Sequence, residues 1–204
     1  DLGPYFRREA DYFDRGVRCL AGELAALLPE GPVLAAGLGN RAMTCDAVGP
    51  ASIDNLLVTR HMIRAMPRQF ADFRPVAAVC PGVLARTGLE ALELVRGAVE
   101  RVRPAAVIAV DARLCATVQL SDTGLVPGSG VGNRRSALDR GTLGVPVIAV
   151  GIPTVVDADP RAGLFLTPRD IDQRIRELGR LLGYGITLAL QPSLTAADIT
   201  ALLG

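Results

Sequence analysis

The sequence contains no lysine and no tryptophan, and its one histidine is His61. All 22 basic residues are therefore arginine. Without lysine there can be no P-loop lysine, no Schiff base and no Ser-Lys dyad. Any Ser-His or Cys-His nucleophile pair would have to use His61. That residue falls mid-helix in the apolar pattern, toward the end away from the strand tips. Aromatic residues are only 4% of the chain although half of it is hydrophobic, so the core must be built from Leu, Val, Ile and Ala. Neither sign of charge dominates. A net charge of +1 gives no electrostatic case for nucleic acid or an anionic membrane as partner. No apolar run approaches the roughly 18 residues of a spanning helix, and no signal-peptide pattern opens the sequence. The four cysteines, Cys19, Cys45, Cys80 and Cys115, form no CxxC pair, which argues against a zinc ribbon or a thioredoxin-type site. They read as free, mostly buried thiols in a reducing compartment, so the expected location is the cytoplasm. Nothing in the pattern asks for a cofactor or a metal.

What the chain does have is three short apolar runs, each followed by an aspartate. Val33–Gly37 leads to Asp46, Ala105–Val110 runs into Asp111, and Val145–Val150 leads to Asp157. Such Val/Ile/Ala runs between helical patterns read as buried parallel strands. Val76–Cys80 is a fourth, and Thr117–Ser121 alternates as an edge or hairpin strand would. Apolar spacing predicts helices over about Arg8–Leu28, Pro50–Met66 and Arg134–Arg140. Capping boxes at Thr87–Glu90, Thr167–Asp170 and Thr195–Asp198 open three more, with Leu194 and Ile199 placed as a hydrophobic staple on the last. At 204 residues this is a single α/β domain, residues 1–204: a three-layer sandwich with a mixed, mostly parallel sheet. In such sheets ligands gather outside the carboxyl ends of the strands, where Asp46 and Asp111 should converge.

Each candidate has a plainer structural role beside it. Gly37-Leu-Gly-Asn-Arg-Ala42 fits a loose dinucleotide fingerprint. The acidic residue expected about 20 positions on is missing, so a tight turn that needs glycine is the simpler account. The Gly128–Gly132 loop could form an anion nest or simply be a loop. Asp46 would serve as an N-cap or first-turn carboxylate before a helix. Asp111 directly follows six apolar residues, where an unpartnered carboxylate is costly to bury. Asp122, in an Asp-Thr-Gly string, reads as a turn. Cys45 and Cys80, near strand ends, leave a cysteine peptidase open.

Whole segments carry a sharper signal. Gly37-Leu-Gly-Asn40, Asp46-Ala-Val-Gly-Pro50 and Asn55-Leu-Leu-Val-Thr-Arg-His61 resemble the germination protease family of spore-forming bacteria. So do Pro81-Gly-Val83 with Thr87-Gly88, Val107-Ile-Ala-Val-Asp111-Ala112, and Gln119-Leu-Ser-Asp-Thr-Gly124 with Pro127–Asn133. Thr142–Gly151, Pro153–Ala158, Leu166–Asp170 and Gly185–Leu190 continue the likeness, which covers about Leu34 to the end. The resemblance implies a phosphorylase/hydrolase-like fold shared with hydrogenase-maturation peptidases. It also implies an atypical aspartic endopeptidase that degrades small acid-soluble spore proteins at germination, in the spore core, as a homo-oligomer, in the family a tetramer. The family's two catalytic aspartates fall on Asp46 and Asp111. Compared with the family, the stretch between Asp111 and Gln119 is shorter, and a long charged insertion after Val155-Val156-Asp157 is absent.

Two carboxylates sharing one site do not both ionise easily. Asp46, at a helix start, is expected to act as base, and Asp111, leaving an apolar strand, to carry the proton. Backbone N–H groups of Gly37–Asn40 or of the Gly128–Gly132 loop would receive the oxyanion. Two other readings stay open: a metal-dependent maturation-type peptidase of the same fold, and a non-catalytic scaffold or regulator.

Overall fold

Val33–Leu38 has no polar position at all, and it forms a strand (β1) buried at every residue. The other strands are β2 (Val76–Gly82), β3 (Ala106–Arg113), β4 (Gln119–Ser121), β5 (Val147–Pro153), β6 (Val156–Asp159) and β7 (Leu164–Leu166). The computed structural model describes residues 3–113, 117–127, 136–159 and 164–203. Five strands make one sheet in the order β2-β1-β3-β5-β4, parallel except for β4, which runs antiparallel to β5 at one edge. The short pair β6-β7 is antiparallel and was not anticipated from the sequence.

The helices are α1 (Gly3–Phe6), α2 (Tyr12–Leu27), α3 (Val48–Asp54), α4 (Arg60–Ala65), α5 (Leu84–Thr87), α6 (Ala91–Val102), α7 (Arg140–Leu143), α8 (Ile171–Leu190) and α9 (Ala196–Leu203). They cover the sheet in two layers. Leu20 and Leu24 of α2, Val48 of α3 and Leu178, Leu182 and Ile186 of α8 pack with Ile108 and Val110 on one face. Leu92, Val95 and Val99 of α6 and Leu143 of α7 pack with Val107 and Ala109 on the other. Odd and even residues of β3 thus feed separate cores, as the two-residue period of a strand requires. The expected three-layer α/β architecture is the observed one.

Several boundaries differ from the apolar pattern, each for a local reason. The first helix begins at Tyr12 instead of near Arg8, because Arg8 and Asp11 take left-handed φ values of 52° and 55°, and the short α1 precedes the expected span. The second breaks after α3. Thr59 donates its N–H to Val76 O and its hydroxyl to Arg74 O, while the Leu57 N–H is held by Thr187 Oγ1 on α8. Thr87 closes α5 instead of opening a helix. Gly88 turns the chain at φ 72°, and the working capping box is Glu90 with Glu93. Thr167 does not cap α8, which begins after Asp170 without a side-chain cap. Of the short helix expected over Arg134–Arg140, the first two positions lie outside the described residues; 136–139 are not helical, and α7 begins at Arg140, capped by Asp139. The Thr195–Asp198 box is present as expected: Asp198 Oδ2 accepts from Thr195 N, and Thr195 Oγ1 from Asp198 N.

α3 is packed closely on two sides. A Cβ on Gly37 would sit 2.5 Å from Gly49 O, and one on Gly49 2.2 Å from Leu38 O. On its other flank, Cβ atoms at Gly179 and Gly183 of α8 would sit 2.7 Å from Ala51 Cβ and 2.4 Å from Asn55 O. Four glycines therefore fix the helix that directly follows Asp46.

Candidate active site

The order β2-β1-β3 means that the chain leaves β1 in one direction and later crosses back to lay β3 on its other side. The helices after β1 and after β2 cover opposite faces. β1 and β3 therefore flank a topological switch point, where α/β sheets form their ligand crevice beyond the carboxyl ends.

Asp46 is delivered there by a tight reversal. Gly39 turns the chain at φ 112°. Asn40 then accepts at Oδ1 from Ala42 N (3.0 Å) and at its carbonyl from Met43 N (3.0 Å). A single 3-10 turn, Thr44–Asp46, packs against both β3 and α8. Thr44 Oγ1 ties it to α8 by donating to Asp172 Oδ1 at 2.9 Å. Asp46 itself is 6% exposed, and its Oδ2 accepts the Asn40 N–H at 2.8 Å. Asp46 is thus the last residue of a 3-10 turn, one residue before the α3 N-cap at Ala47, and its carboxylate reaches back to the β1 turn. The Asn40 N–H, expected to face an oxyanion, is donated to Asp46. The Gly128–Gly132 loop, the other expected oxyanion donor, lies outside the described residues.

Asp111 is 1% exposed. It does not follow the strand, as the apolar run suggested, but sits within β3, because β5 continues beside it: Asp111 pairs with Gly151 and Arg113 with Pro153. The ladder with β1 ends one residue earlier, at Gly37–Val110. Asp111 is therefore held by β5 on one side and lies just past the paired part of β1 on the other. Both carboxylates are buried at the same end of adjacent strands. Arg113, two positions on, donates from Nη1 to Val126 O at 3.2 Å.

The remaining candidates fall elsewhere. His61 is exposed on α4, two residues after Thr59, which is bonded to the amino end of β2, so it lies at the opposite edge of the sheet. Among the described residues, no three His, Cys, Asp or Glu side chains gather as a metal site would require. Asp122 is exposed in a turn closed by Ser121 and Thr123, whose hydroxyls are 2.7 Å apart. Asp157 is a strand residue of β6, paired with Phe165. Cys19 and Cys80 are exposed and Cys45 is partly so, which corrects the expectation of buried thiols; Cys115 lies outside the described residues. Cys80 neighbours the Arg41–Asp54 ion pair. Desolvation of its sulfur raises the thiol above its ordinary value, against the pull of the Arg41 guanidinium. Thr154 was not singled out by the sequence, where an isolated threonine after Pro153 carries no signal. Its hydroxyl is buried without a hydrogen-bond partner.

Comparison with known proteins gives a consistent result. Residues 10–163 match the family described as germination protease. The germination protease of Caldanaerobacter subterraneus is 38% identical over 253 residues, covering 96% of this chain and 78% of that protein. That of Clostridium perfringens strain 13 is 34% identical over 260 residues, covering all of this chain and 80% of the relative. That of Priestia megaterium is 43% identical over 185 residues, but the match spans 81% of this chain and only 49% of the relative. The first of these alignments is longer than the 204 residues of this chain, so that relative carries segments with no counterpart here. A solved [NiFe] hydrogenase maturation protease, HycI from Thermococcus kodakarensis, shares the fold with a TM-score of 0.53 at 18% identity, over 83% of this chain and 99% of that one.

Proposed function

Because the chain belongs to the germination protease family, which is of atypical aspartic endopeptidase type, we propose that it hydrolyses small acid-soluble spore proteins, with Asp46 and Asp111 as the acid–base pair. The observation that carries this reading is the burial of two carboxylates at the carboxyl ends of adjacent parallel strands, at the switch point of the sheet. Buried, strongly constrained carboxylates of this kind are candidates for catalysis, since a purely structural carboxylate is more cheaply left in water.

The geometry supports one division of roles. A backbone N–H donated to Asp46 Oδ2 favours its ionised form, which suits the base. Asp111 lies deeper, within the strand, and suits the group that carries the proton. Asp46 takes one proton from a water as its oxygen bonds to the peptide carbonyl carbon, and Asp111 gives its proton to the carbonyl oxygen. When the tetrahedral intermediate collapses and the C–N bond breaks, Asp46 passes its proton to the departing nitrogen. The hydroxyl proton returns to Asp111, which restores the starting state. The protonation belongs to the pair as a whole, so activity titrates with two apparent values.

On this reading the protein works in the spore core, as a homo-oligomer, and requires no metal or cofactor. The test is cleavage of a purified small acid-soluble spore protein by Asp46→Asn and Asp111→Asn. Each is expected to lower kcat by roughly 100-fold or more. Full activity in both variants ends the carboxylate reading. A folded wild-type protein that cleaves no spore protein points instead to a scaffold or regulator.

A further inference from the structure

Among the described residues, the buried polar side chains fall into two groups. Ser52, Thr59, Thr187 and Gln191 each donate to a backbone carbonyl: Gly49 O, Arg74 O, Gly183 O and Arg74 O respectively. They satisfy the fold. The other three, Asp46, Asp111 and Thr154, stand at or just past the carboxyl ends of β1, β3 and β5, three neighbouring strands. Thr154 is 3% exposed, and among the described residues its Oγ1 is the one buried side-chain oxygen or nitrogen that makes no hydrogen bond. It follows Pro153, the register partner of Arg113, and so continues the strand that flanks Asp111 on the side away from β1.

A threonine hydroxyl offers one proton and two lone pairs. Leaving them unmade in a dry site destabilises the fold, and valine would fill the same space without that cost. Such an exception calls for a partner that the folded chain does not itself supply. We propose that Thr154 Oγ1 hydrogen-bonds the water that Asp46 and Asp111 activate, and so holds it for attack. This rests on the carboxylate-pair reading above. The hydroxyl forms and breaks no covalent bond: the water proton goes to Asp46, and Thr154 fixes the position of the oxygen.

The test compares Thr154→Val and Thr154→Ser in the full chain with Asp46→Asn and Asp111→Asn, using the same spore-protein substrate. We measure kcat, KM, the pH profile and urea unfolding. Thr154→Val is expected to lower kcat by about 10- to 100-fold, the effect of losing one hydrogen bond to a group that gains charge in the reaction. KM should stay within about twofold, and the unfolding midpoint should hold or rise. Thr154→Ser should regain most of kcat with the wild-type pH profile. Thr154→Val with wild-type kcat overturns the proposal, and a lowered midpoint beside that kcat assigns the hydroxyl to a structural water. Equal loss in Val and Ser variants also overturns it, because the methyl group and not the hydroxyl is then what matters. If the asparagine variants are inactive while Thr154→Val is fully active, this inference fails and the carboxylate reading stands. If the asparagine variants remain active, both fail.

Discussion

Gly39 decides where Asp46 goes. A Cβ there would lie 2.1 Å from Asp46 O and 3.0 Å from Asp46 Oδ1, and φ is 112°. Gly39→Ala should therefore cost about 1–3 kcal/mol in backbone strain alone, and should also lose cleavage activity by pushing Asp46 off the Asn40 N–H. Gly88→Ala is the matched control: φ is 72° but nothing lies within 4 Å of its Cβ. It should lower the urea midpoint and leave kcat intact. If the two variants have the same activity, Gly39 is only a turn residue. Asp46 and Asp111 were legible in the sequence because each follows an apolar run, and burial there demands a reason. Their exact settings were not. Asp111 lies inside β3 only because β5 extends alongside it, and Asp46 takes a backbone N–H from a turn six residues earlier. Thr154 was illegible, since its peculiarity is a missing partner, and a sequence shows no partners.

At the scale of elements, β1, β3 and β5 were readable as runs too apolar to be anything but buried strands. The breaks were not readable where a tertiary bond makes them. Nothing in Asn55–Thr59 forbids a helix. It ends because Thr187 on α8 and the start of β2 claim its backbone. α9 shows the opposite case, a cap written locally and kept. The Thr195 hydroxyl and backbone N–H hold the Asp198 carboxyl below its ordinary 3.8. A carboxylate lowered in the folded state stabilises above its unfolded value and loses that contribution as pH falls through the folded one. Amide exchange in Ala196–Leu203 should thus quicken selectively as pH drops below about 3.8, after correction for intrinsic rates. Asp198→Asn should show fast exchange already at neutral pH. Exchange that is insensitive to both changes would mean that packing of Ile199 alone holds the helix.

For the whole molecule, one sheet separates two apolar cores while its carboxyl edge carries the candidate chemistry. Ile108 is fully buried at the middle of β3, three residues before Asp111. Ile108→Ala should cost roughly 2–5 kcal/mol by urea unfolding. The folded fraction should keep the wild-type pH profile of cleavage, because the truncated side chain belongs to the core shared with α2 and α8, three residues before Asp111. A changed profile would show that core packing and the carboxylates are coupled. The strand order has a temporal consequence as well. β3 is inserted between β1 and β5, so its two neighbours come from opposite halves of the chain. Asp46 leaves the ribosome long before Asp111, and Asp111 is not clamped until β5 has followed. Chains emerge at about 5–20 residues per second, so the nascent protein spends several seconds with one carboxylate made and its counterpart unplaced. Whatever the pair does, it cannot do it to its own nascent chain before β5 is in place.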